Sequence, residues 1–259
     1  MSADRNQGRF VWYDLMTTDP DAAIGFYTSL VGWGTREWAD GGMSYTMWAN
    51  RDTPLGGVVP LPPEARANGA RPHWLAYVAV ADVDRTVERA RSLGGEVIHR
   101  PTDIPSVGRY AVIKDPQGAA IAIYRSLTEG AGGGPEQPAP GDFCWHELAT
   151  TDHRAAYEFY AELFGWEKHE AMDMGEAGLY QIYGRSGQRL GGMFDQPCEM
   201  PGPPAWLSYI TVPDVRTAAG RVAELGGSVV NGPMEVPGGM IVQCIDPQGA
   251  MFALHSAAS

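Results

Sequence analysis

The sequence predicts an α+β fold made of four βαβββ units in two tandem domains. Three observations carry that prediction. WYDLMTTDPDAAIGFYTSLVGW at 12–33 lies over WHELATTDHRAAYEFYAELFGW at 145–166 with twelve of twenty-two positions identical. DPQGA occurs at 115–119 and again at 246–250, and HWLAYVAVADV at 73–83 matches AWLSYITVPDV at 205–215. Within each half the plan then restarts with a second strand, helix and hairpin. Self-similarity on this scale marks duplicated supersecondary units.

The elements follow in order. RFVWYDLMTT reads as a strand and leads into a helix with Ala23, Phe26, Tyr27 and Leu30 at i, i+3, i+4 and i+7, the spacing of one apolar face. Thr18 or Asp19 can cap the start of that helix, Pro20 suits its first turn and Gly32 ends it. Strand-like segments follow around GGMSYTMWAN and LGGVVPL. HWLAYVAVAD opens the second unit, with a helix from Val83 to Leu93 stopped by Gly94 and Gly95. After EVIHRPTDI comes the hairpin RYAVIKDPQGAAIAIYRS, turning at Asp115–Gly118. The units span 9–60, 72–126, 142–196 and 204–256, giving domains 8–127 and 141–257. Between them TEGAGGGPEQPAP, 128–140, is a Gly/Pro-rich linker with nothing to bury.

Composition narrows the function classes. An apolar fraction of 44% with 19% charged residues belongs to a soluble globular chain. A net charge of −12 repels nucleic acid and anionic membranes, so neither is expected as a partner. No apolar run approaches the ~20 residues that span a bilayer, and MSADRNQGRF lacks a signal-peptide apolar core. Cys144, Cys198 and Cys244 have neither zinc nor redox spacing. These features point to the cytosol and to a small-molecule partner, and a tandem duplication is compatible with a monomer or a homodimer.

Paired βαβββ units with D…FY..L.GW after the first strand and DP.G before the last resemble the vicinal oxygen chelate superfamily. That superfamily includes glyoxalase I, extradiol dioxygenases and bleomycin-resistance-type binding proteins. The phrases FCWHELATTD, FYAELFGW, ADVDRTVERARSLGG, PSVGRYAVIKDPQGA and LGGM are similar to those of its tandem two-domain glyoxalase-related members. The resemblance covers nearly the whole chain outside the linker. It implies two glyoxalase-like domains whose mixed sheets curve around a cavity. In the metalloenzymes of the superfamily, ligands project into that cavity from the first and last strands of each unit. In this sequence those positions fall on Trp12 and Trp145, Leu75 and Leu207, Ala122 and Ala253, and near Gly57/Val58 and Gly192/Met193. None is a donor suited to a divalent ion, so neither a metal nor another cofactor is expected. His146 looks like a ligand, but strand side chains alternate faces. It falls on the opposite parity from Trp145 and Glu147 and reads as a structural histidine.

The same parity selects what lines the cavity. First strands contribute Trp12, Asp14 and Met16, and Trp145, Glu147 and Ala149. Second-unit strands contribute His73, Leu75 and Tyr77, and Ala205, Leu207 and Tyr209, while last strands contribute Ala122 and Tyr124, and Ala253 and His255. Tyr45 and Tyr180 take matching places on middle strands, and Arg109 is a candidate cation whose second-half counterpart is Met240. An aromatic pocket with one carboxylate per half fits a small organic ligand. Asp14 and Glu147, set among Trp and Leu, are the candidate acid–base groups, because burial raises a carboxyl pKa toward a useful range. Trp12, Tyr45, His73, Tyr77, Arg109, Tyr124, Trp145, Tyr180, Tyr209 and His255 are the candidate substrate contacts. Three readings stand: a metal-independent lyase or isomerase acting on a carbonyl or enol metabolite, a resistance-type protein sequestering an aromatic molecule, and a metal-dependent glyoxalase or dioxygenase.

Overall fold

The computed structural model describes residues 6–40, 43–67, 69–128, 135, 137–200 and 202–258. The first five residues and most of the 128–140 linker, and with them the readings of a leader and of a linker, lie outside the described residues. The first half runs β1 (Phe10–Thr17), α1 (Pro20–Val31), β2 (Gly34–Asp40), β3 (Met43–Asn50), β4 (Thr53–Pro60), α2 (Pro63–Ala67), β5 (His73–Ala79), α3 (Val83–Ser92), β6 (Glu96–Ile104), β7 (Gly108–Lys114) and β8 (Ala120–Ser126). The second half repeats it as β9 (Phe143–Thr150), α4 (His153–Phe164), β10 (Glu167–Asp173), β11 (Leu179–Arg185), β12 (Gln188–Asp195), β13 (Ala205–Thr211), α5 (Val215–Glu224), β14 (Ser228–Val236), β15 (Gly239–Ile245) and β16 (Met251–Ala257). A short 3-10 turn, Gly175–Ala177, precedes β11. The α+β class and the four βαβββ units are those the repeats predict. The mostly exposed β2, GTREWAD, fills the first of the three strand places after α1, and the short α2 is an addition without a repeat signal of its own.

Local chemistry fixes the element ends. Asp19 caps α1 by accepting from the amide of Ala22, Pro20 opens the helix, and Gly32 closes it at φ 75°. Asp82, Asp152 and Asp214 cap α3, α4 and α5 in the same way, each satisfying an orphan amide of the first turn. In both DPQGA turns the aspartate does the holding. Asp115 Oδ1 accepts from the amides of Gln117, Gly118 and Ala119, and Asp246 Oδ1 from those of Gln248, Gly249 and Ala250.

Each half forms one eight-stranded mixed sheet, ordered β2-β3-β4-β1-β5-β8-β7-β6 in the first and β10-β11-β12-β9-β13-β16-β15-β14 in the second. β1 runs parallel to β4 and β5 parallel to β8, while the hairpins are antiparallel. By packing, the chain divides into two compact units that each draw on both halves: Met1–Trp12, Ala76–Gly133 and Trp145–Leu207, and Tyr13–Leu75, Gly134–Cys144 and Ser208–Ser259. The core of the first holds Phe10, Ile121, Tyr160, Phe164 and Trp166, and that of the second Tyr27, Trp33, Trp48 and Phe252, all buried. Rings in the second unit meet at 5–6 Å in tilted and edge-on pairs, geometry worth about 0.5–1.5 kcal/mol per pair beyond area burial. Among the described residues no helix is long and apolar enough to cross a membrane. Cys244 is buried, Cys144 half-buried and Cys198 exposed, and all three are free thiols.

Candidate functional site

The central strands β1 and β9 each bring one carboxylate to a matched position. Asp14 faces Gly57 of β4 across the parallel register, and Glu147 faces Gly192 of β12. Both carboxylates are buried, at 6% and 9% exposure. The hydroxyl of Tyr45 donates to Asp14 Oδ1. In the second half the Tyr180 hydroxyl donates to Glu147 Oε2 at 2.9 Å and accepts from Trp145 Nε1 at 2.8 Å. A hydroxyl whose donor and acceptor roles are both used has its proton fixed in direction. Trp145, Tyr180 and Glu147 therefore form a chain of hydrogen bonds ending on the carboxylate.

The LGG phrases explain how the tyrosines reach. A Cβ on Gly57 would lie 2.0 Å from the Tyr45 hydroxyl oxygen, and one on Gly192 would lie 2.0 Å from a ring carbon of Tyr180. The second glycine of each phrase is thus the seat over which the tyrosine lies. The first glycine, Gly56 or Gly191, would place a Cβ 1.7 Å or 1.8 Å from the carbonyl oxygen of Tyr13 or His146. Only glycine allows that strand approach.

His146 faces away from this chain. Its ring stacks on Phe10 at 3.6 Å between centroids, and Nδ1 donates to the Leu190 carbonyl at 3.0 Å. Burial lowers its pKa to about 3, so it is a neutral core group at physiological pH, as the strand parity predicts.

The remaining candidates fall into place strand by strand. In the first unit Tyr77 is buried and lies 6.2 Å from Tyr110, whose other neighbour is the ring of His99, stacked at 4.9 Å. Tyr124 sits opposite Tyr110 in the β7–β8 register, and its hydroxyl donates to the Val107 carbonyl at 3.1 Å. In the second unit the matching strands are more polar. Tyr209 accepts from Gln243 Nε2 at 3.1 Å, and Gln243 Oε1 accepts from Asn231 at 3.2 Å. Burial lowers the pKa of the His255 imidazole. Trp12 is half-buried on β1. His73 is exposed at the start of β5, where Nδ1 donates to the Arg71 carbonyl at 2.7 Å. Tyr110, His99, Gln243 and Asn231 escape a residue-by-residue reading. The hairpin register set by each DPQGA turn is the signal that could have found Tyr110 and Gln243.

Arg109 requires a correction. It was expected as a substrate contact and as a cation for the buried carboxylate. Instead its guanidinium grips Asp84 of α3 through two bonds, at 2.8 and 2.9 Å, and Asp103 of β6 at 2.8 Å. Alternation along β7 puts Arg109 on the helix side and Tyr110 on the other. A shallow groove on that helix side is lined by Asp84, Glu88, Arg91, Arg100 and Arg109. It is charged with both signs rather than aromatic.

Comparison with known proteins fits this architecture. The model of the Glyoxalase/Bleomycin resistance protein/Dioxygenase superfamily matches residues 9–123 and 143–254. The chain is 34% identical to "Putative glyoxylase CFP32" of Mycobacterium tuberculosis over 256 residues, covering 97% of this chain and 96% of that protein. It is 32% identical to the anthracycline biosynthesis protein DnrV of Streptomyces peucetius over 260 residues, covering 95% and 92%. Among solved structures, the Mn(II)-bound glyoxalase from Novosphingobium aromaticivorans superposes with a TM-score of 0.66 at 15% identity, covering 97% of this chain and 82% of that one. An extradiol ring-cleaving dioxygenase from B. fuscum gives 0.67 at 13% identity, covering 98% and 73%. These structural likenesses concern the fold.

The first of these structures is Mn(II)-bound. At the positions that the superfamily resemblance assigns to ligands stand Trp12, Trp145, Leu75, Leu207, Ala122 and Ala253, with Gly57/Val58 and Gly192/Met193 in the last place, and of these side chains only the thioether of Met193 is a donor, a soft one poorly suited to a hard divalent ion. Among the described residues no group of three or more His, Cys, Asp or Glu side chains could hold one.

Proposed function

Because the chain belongs to the Glyoxalase/Bleomycin resistance protein/Dioxygenase superfamily, we propose that it is an enzyme of that superfamily that moves protons on a small carbonyl- or enol-bearing metabolite without a resident metal. The observation that carries this reading is the tyrosine–carboxylate pair at the same register of both halves, Tyr45 with Asp14 and Tyr180 with Glu147. A carboxylate removed from bulk water, with its orientation set by a neighbouring hydroxyl, is suited to act as a general base. In the reaction class proposed, Glu147 takes a proton from the carbon beside a carbonyl. The C–H electron pair becomes a C=C bond and the carbonyl π pair moves to oxygen, giving an enolate. With an α-hydroxycarbonyl substrate the hydroxyl proton shifts to the enolate oxygen, and return of the proton from Glu147 to the former carbonyl carbon, as the other C–O becomes C=O, completes an isomerisation. Trp145 and Tyr180 position the carboxylate; Asp14, with an arm one methylene shorter, takes the matching place in the first half, and the reaction is assigned to Glu147. Two relatives are named for anthracycline biosynthesis, which supports an organic metabolite as the partner. Three free thiols support the cytosol as the site of action.

The test is deuterium exchange. The purified protein, dialysed against EDTA, is incubated in D2O with a panel of α-hydroxyketones and α-hydroxyaldehydes, and loss of the α-proton signal is followed by NMR. Exchange should survive chelation and fall about 10²–10⁴-fold in Glu147→Gln, the usual weight of a general base. Exchange that disappears on chelation and returns with added metal would sink the metal-free reading. If no probe exchanges while flat aromatic molecules quench the tryptophan fluorescence, sequestration is the better account.

A further inference from the structure

The groove on the helix side of the first half has a charge pattern that the second half does not repeat, although the elements that build it are repeated. It is bounded by α3, β6 and β7 and holds about 470 Å³, a volume in the range of small-molecule sites. VDRTVERARSLGGEVIHRP at 83–101 lies over VRTAAGRVAELGGSVVNGP at 215–233 without a gap. Along that alignment Arg216 stands for Asp84, Gly220 for Glu88, Ala223 for Arg91 and Gly232 for Arg100, and on the next strand Met240 stands for Arg109. Val87 and Pro101, the apolar part of the groove, are matched by Ala219 and Pro233. The backbone plan is kept, and the charges belong to one half.

Those charges do two different jobs. Arg109 spends its N–H groups on Asp84 and Asp103, tying β7 to α3 and β6. With two carboxylates on one guanidinium, that trio carries one negative charge in excess. Arg91 and Arg100 reach the groove from α3 and β6, and Glu88 lines it beside them. Among the described residues neither guanidinium has an ion pair or a hydrogen bond, and Glu88 has no ion pair. This second trio carries one positive charge in excess. The groove is therefore electrically balanced in a chain whose net charge is −12, and its unspent poles are two cations and one anion.

Two ordinary roles leave this arrangement unexplained. An arginine in the last turn of a helix suits the macrodipole, but Arg89 already sits in that turn of α3 and pairs with Glu162 at 2.6 Å. A charge on an edge strand discourages strand addition, yet the matching edge strand β14 does without one at Gly232. Neither role brings two unspent guanidiniums and a carboxylate to one groove. A surface of balanced charge with separate poles selects a ligand whose poles are reversed. We propose that the groove binds a small zwitterion of the amino-acid class, its carboxylate taken by Arg91 and Arg100 and its ammonium by Glu88. The planar N–H forks of the two arginines match a carboxylate, and Val87 and Pro101 meet the hydrocarbon between the charges. This proposal is independent of the reaction assigned to Glu147.

The experiment uses the full-length protein and probes on one carbon skeleton: 4-aminobutyrate with both charges, butyrate with the anion alone and butylammonium with the cation alone. Arginine Nε–H resonances are followed by NMR during each titration, at mildly acidic pH. 4-Aminobutyrate should shift the Arg91 and Arg100 signals along one saturating curve and leave Arg216 and Arg221 of α5 unmoved. Butyrate should bind roughly fivefold more weakly, the weight of one exposed ion pair. Movement of the α5 arginines alongside the other two, equal affinity for 4-aminobutyrate and either single-charge probe, or no movement with any probe would overturn the proposal.

Substitutions separate the two poles. Glu88→Gln should bring the affinity for 4-aminobutyrate down to that for butyrate, erasing the preference while leaving butyrate binding no weaker. Arg91→Ala, which installs the residue of the second half, combined with Arg100→Ala should abolish the binding of both. All three positions are exposed, so the variants should unfold in urea with the parent. A preference that survives Glu88→Gln, or binding that survives the double arginine substitution, would also overturn it.

Discussion

The β1 and β9 carboxylates and the two DPQGA aspartates are alike in accepting a tyrosine hydroxyl, yet they differ in what else holds them. Asp115 and Asp246 each accept three backbone amides on one oxygen and a tyrosine on the other. Their tyrosines, Tyr27 and Tyr160, are fully buried, and burial drives both phenols well above their ordinary pKa. Such a proton stays where it is. Asp14 and Glu147 instead sit on strand interiors opposite glycine rather than in a turn, and their tyrosines are only half-buried. The same pair of functional groups is a latch in one setting and a candidate acid–base device in the other. The place of the carboxylate, in a turn or on a strand interior, and the burial of the tyrosine separate them.

The sharpest way to break the comparison is to remove one carboxylate from each class. Asp246→Ala leaves three turn amides and the Tyr27 hydroxyl without an acceptor in a buried setting. Leaving such groups unpaired should cost roughly 4–5 kcal/mol in urea unfolding. Glu147→Gln keeps an oxygen for Tyr180 and should stay within about 1 kcal/mol of the parent while losing proton-transfer activity. If Glu147→Gln were as destabilising as Asp246→Ala, the two classes would be one, and both would be structural.

A smaller effect tests the two faces of β9 against each other. His146 and Glu147 are sequence neighbours, but His146 is held neutral in the core, its pKa lowered by burial from the ordinary value near 6.5 to about 3. The folded state thus binds fewer protons than the unfolded one between those values, so stability rises with pH across the window. The contribution is complete above pH 6.5 and is lost as pH falls toward 3, amounting by pH 4 to on the order of 3 kcal/mol. His146→Tyr installs the residue that occupies the matching position in the first half, Tyr13, which also stacks on a phenylalanine. Unfolding free energies measured at pH 7, 5.5 and 4 should decline less steeply in this variant than in the parent. Parallel declines would mean that His146 is hydrated in the folded protein and that the parity argument separates nothing.

Much of this was legible in the sequence, and the reasons are physical. Repeated phrases located the four units, because the caps at Asp19 and Asp152 and the turn aspartates are short-range devices that a local pattern can carry. Strand alternation separated His146 from Glu147, and the two meet different partners, the Leu190 carbonyl and Tyr180, since a period of two leaves no freedom within a regular strand. Arg109 was misread because its partners, Asp84 and Asp103, lie 25 and 6 residues away in chain order, and no spacing rule links them. The latches were invisible for a related reason: DPQGA looks like a self-contained turn, and the second oxygen of its aspartate is satisfied by a helix of the other half. LGG gave only a sign of close approach, since a glycine records that something lies over it without saying what.

Gly192 is where that last ambiguity becomes measurable, with the smallest expected change in stability. In Gly192→Ala the new methyl group would overlap the Tyr180 ring, 2.0 Å from its nearest carbon, so the ring must lift away from the sheet. Backbone strain is not at issue, because Gly192 lies in regular extended structure. The overlap should cost about 1–3 kcal/mol, the usual range for overpacking. Its more telling consequence is the loss of the Trp145–Tyr180–Glu147 chain, since a displaced hydroxyl can no longer meet both partners. Exchange activity should therefore fall in Gly192→Ala even where the protein remains folded, and the additional substitution Tyr180→Phe should lower it no further. If activity survives in Gly192→Ala and is then abolished by Tyr180→Phe, the tyrosine acts from a lifted position. The glycine would then be a packing feature, and the seat would belong with the latches rather than with the reactive pair.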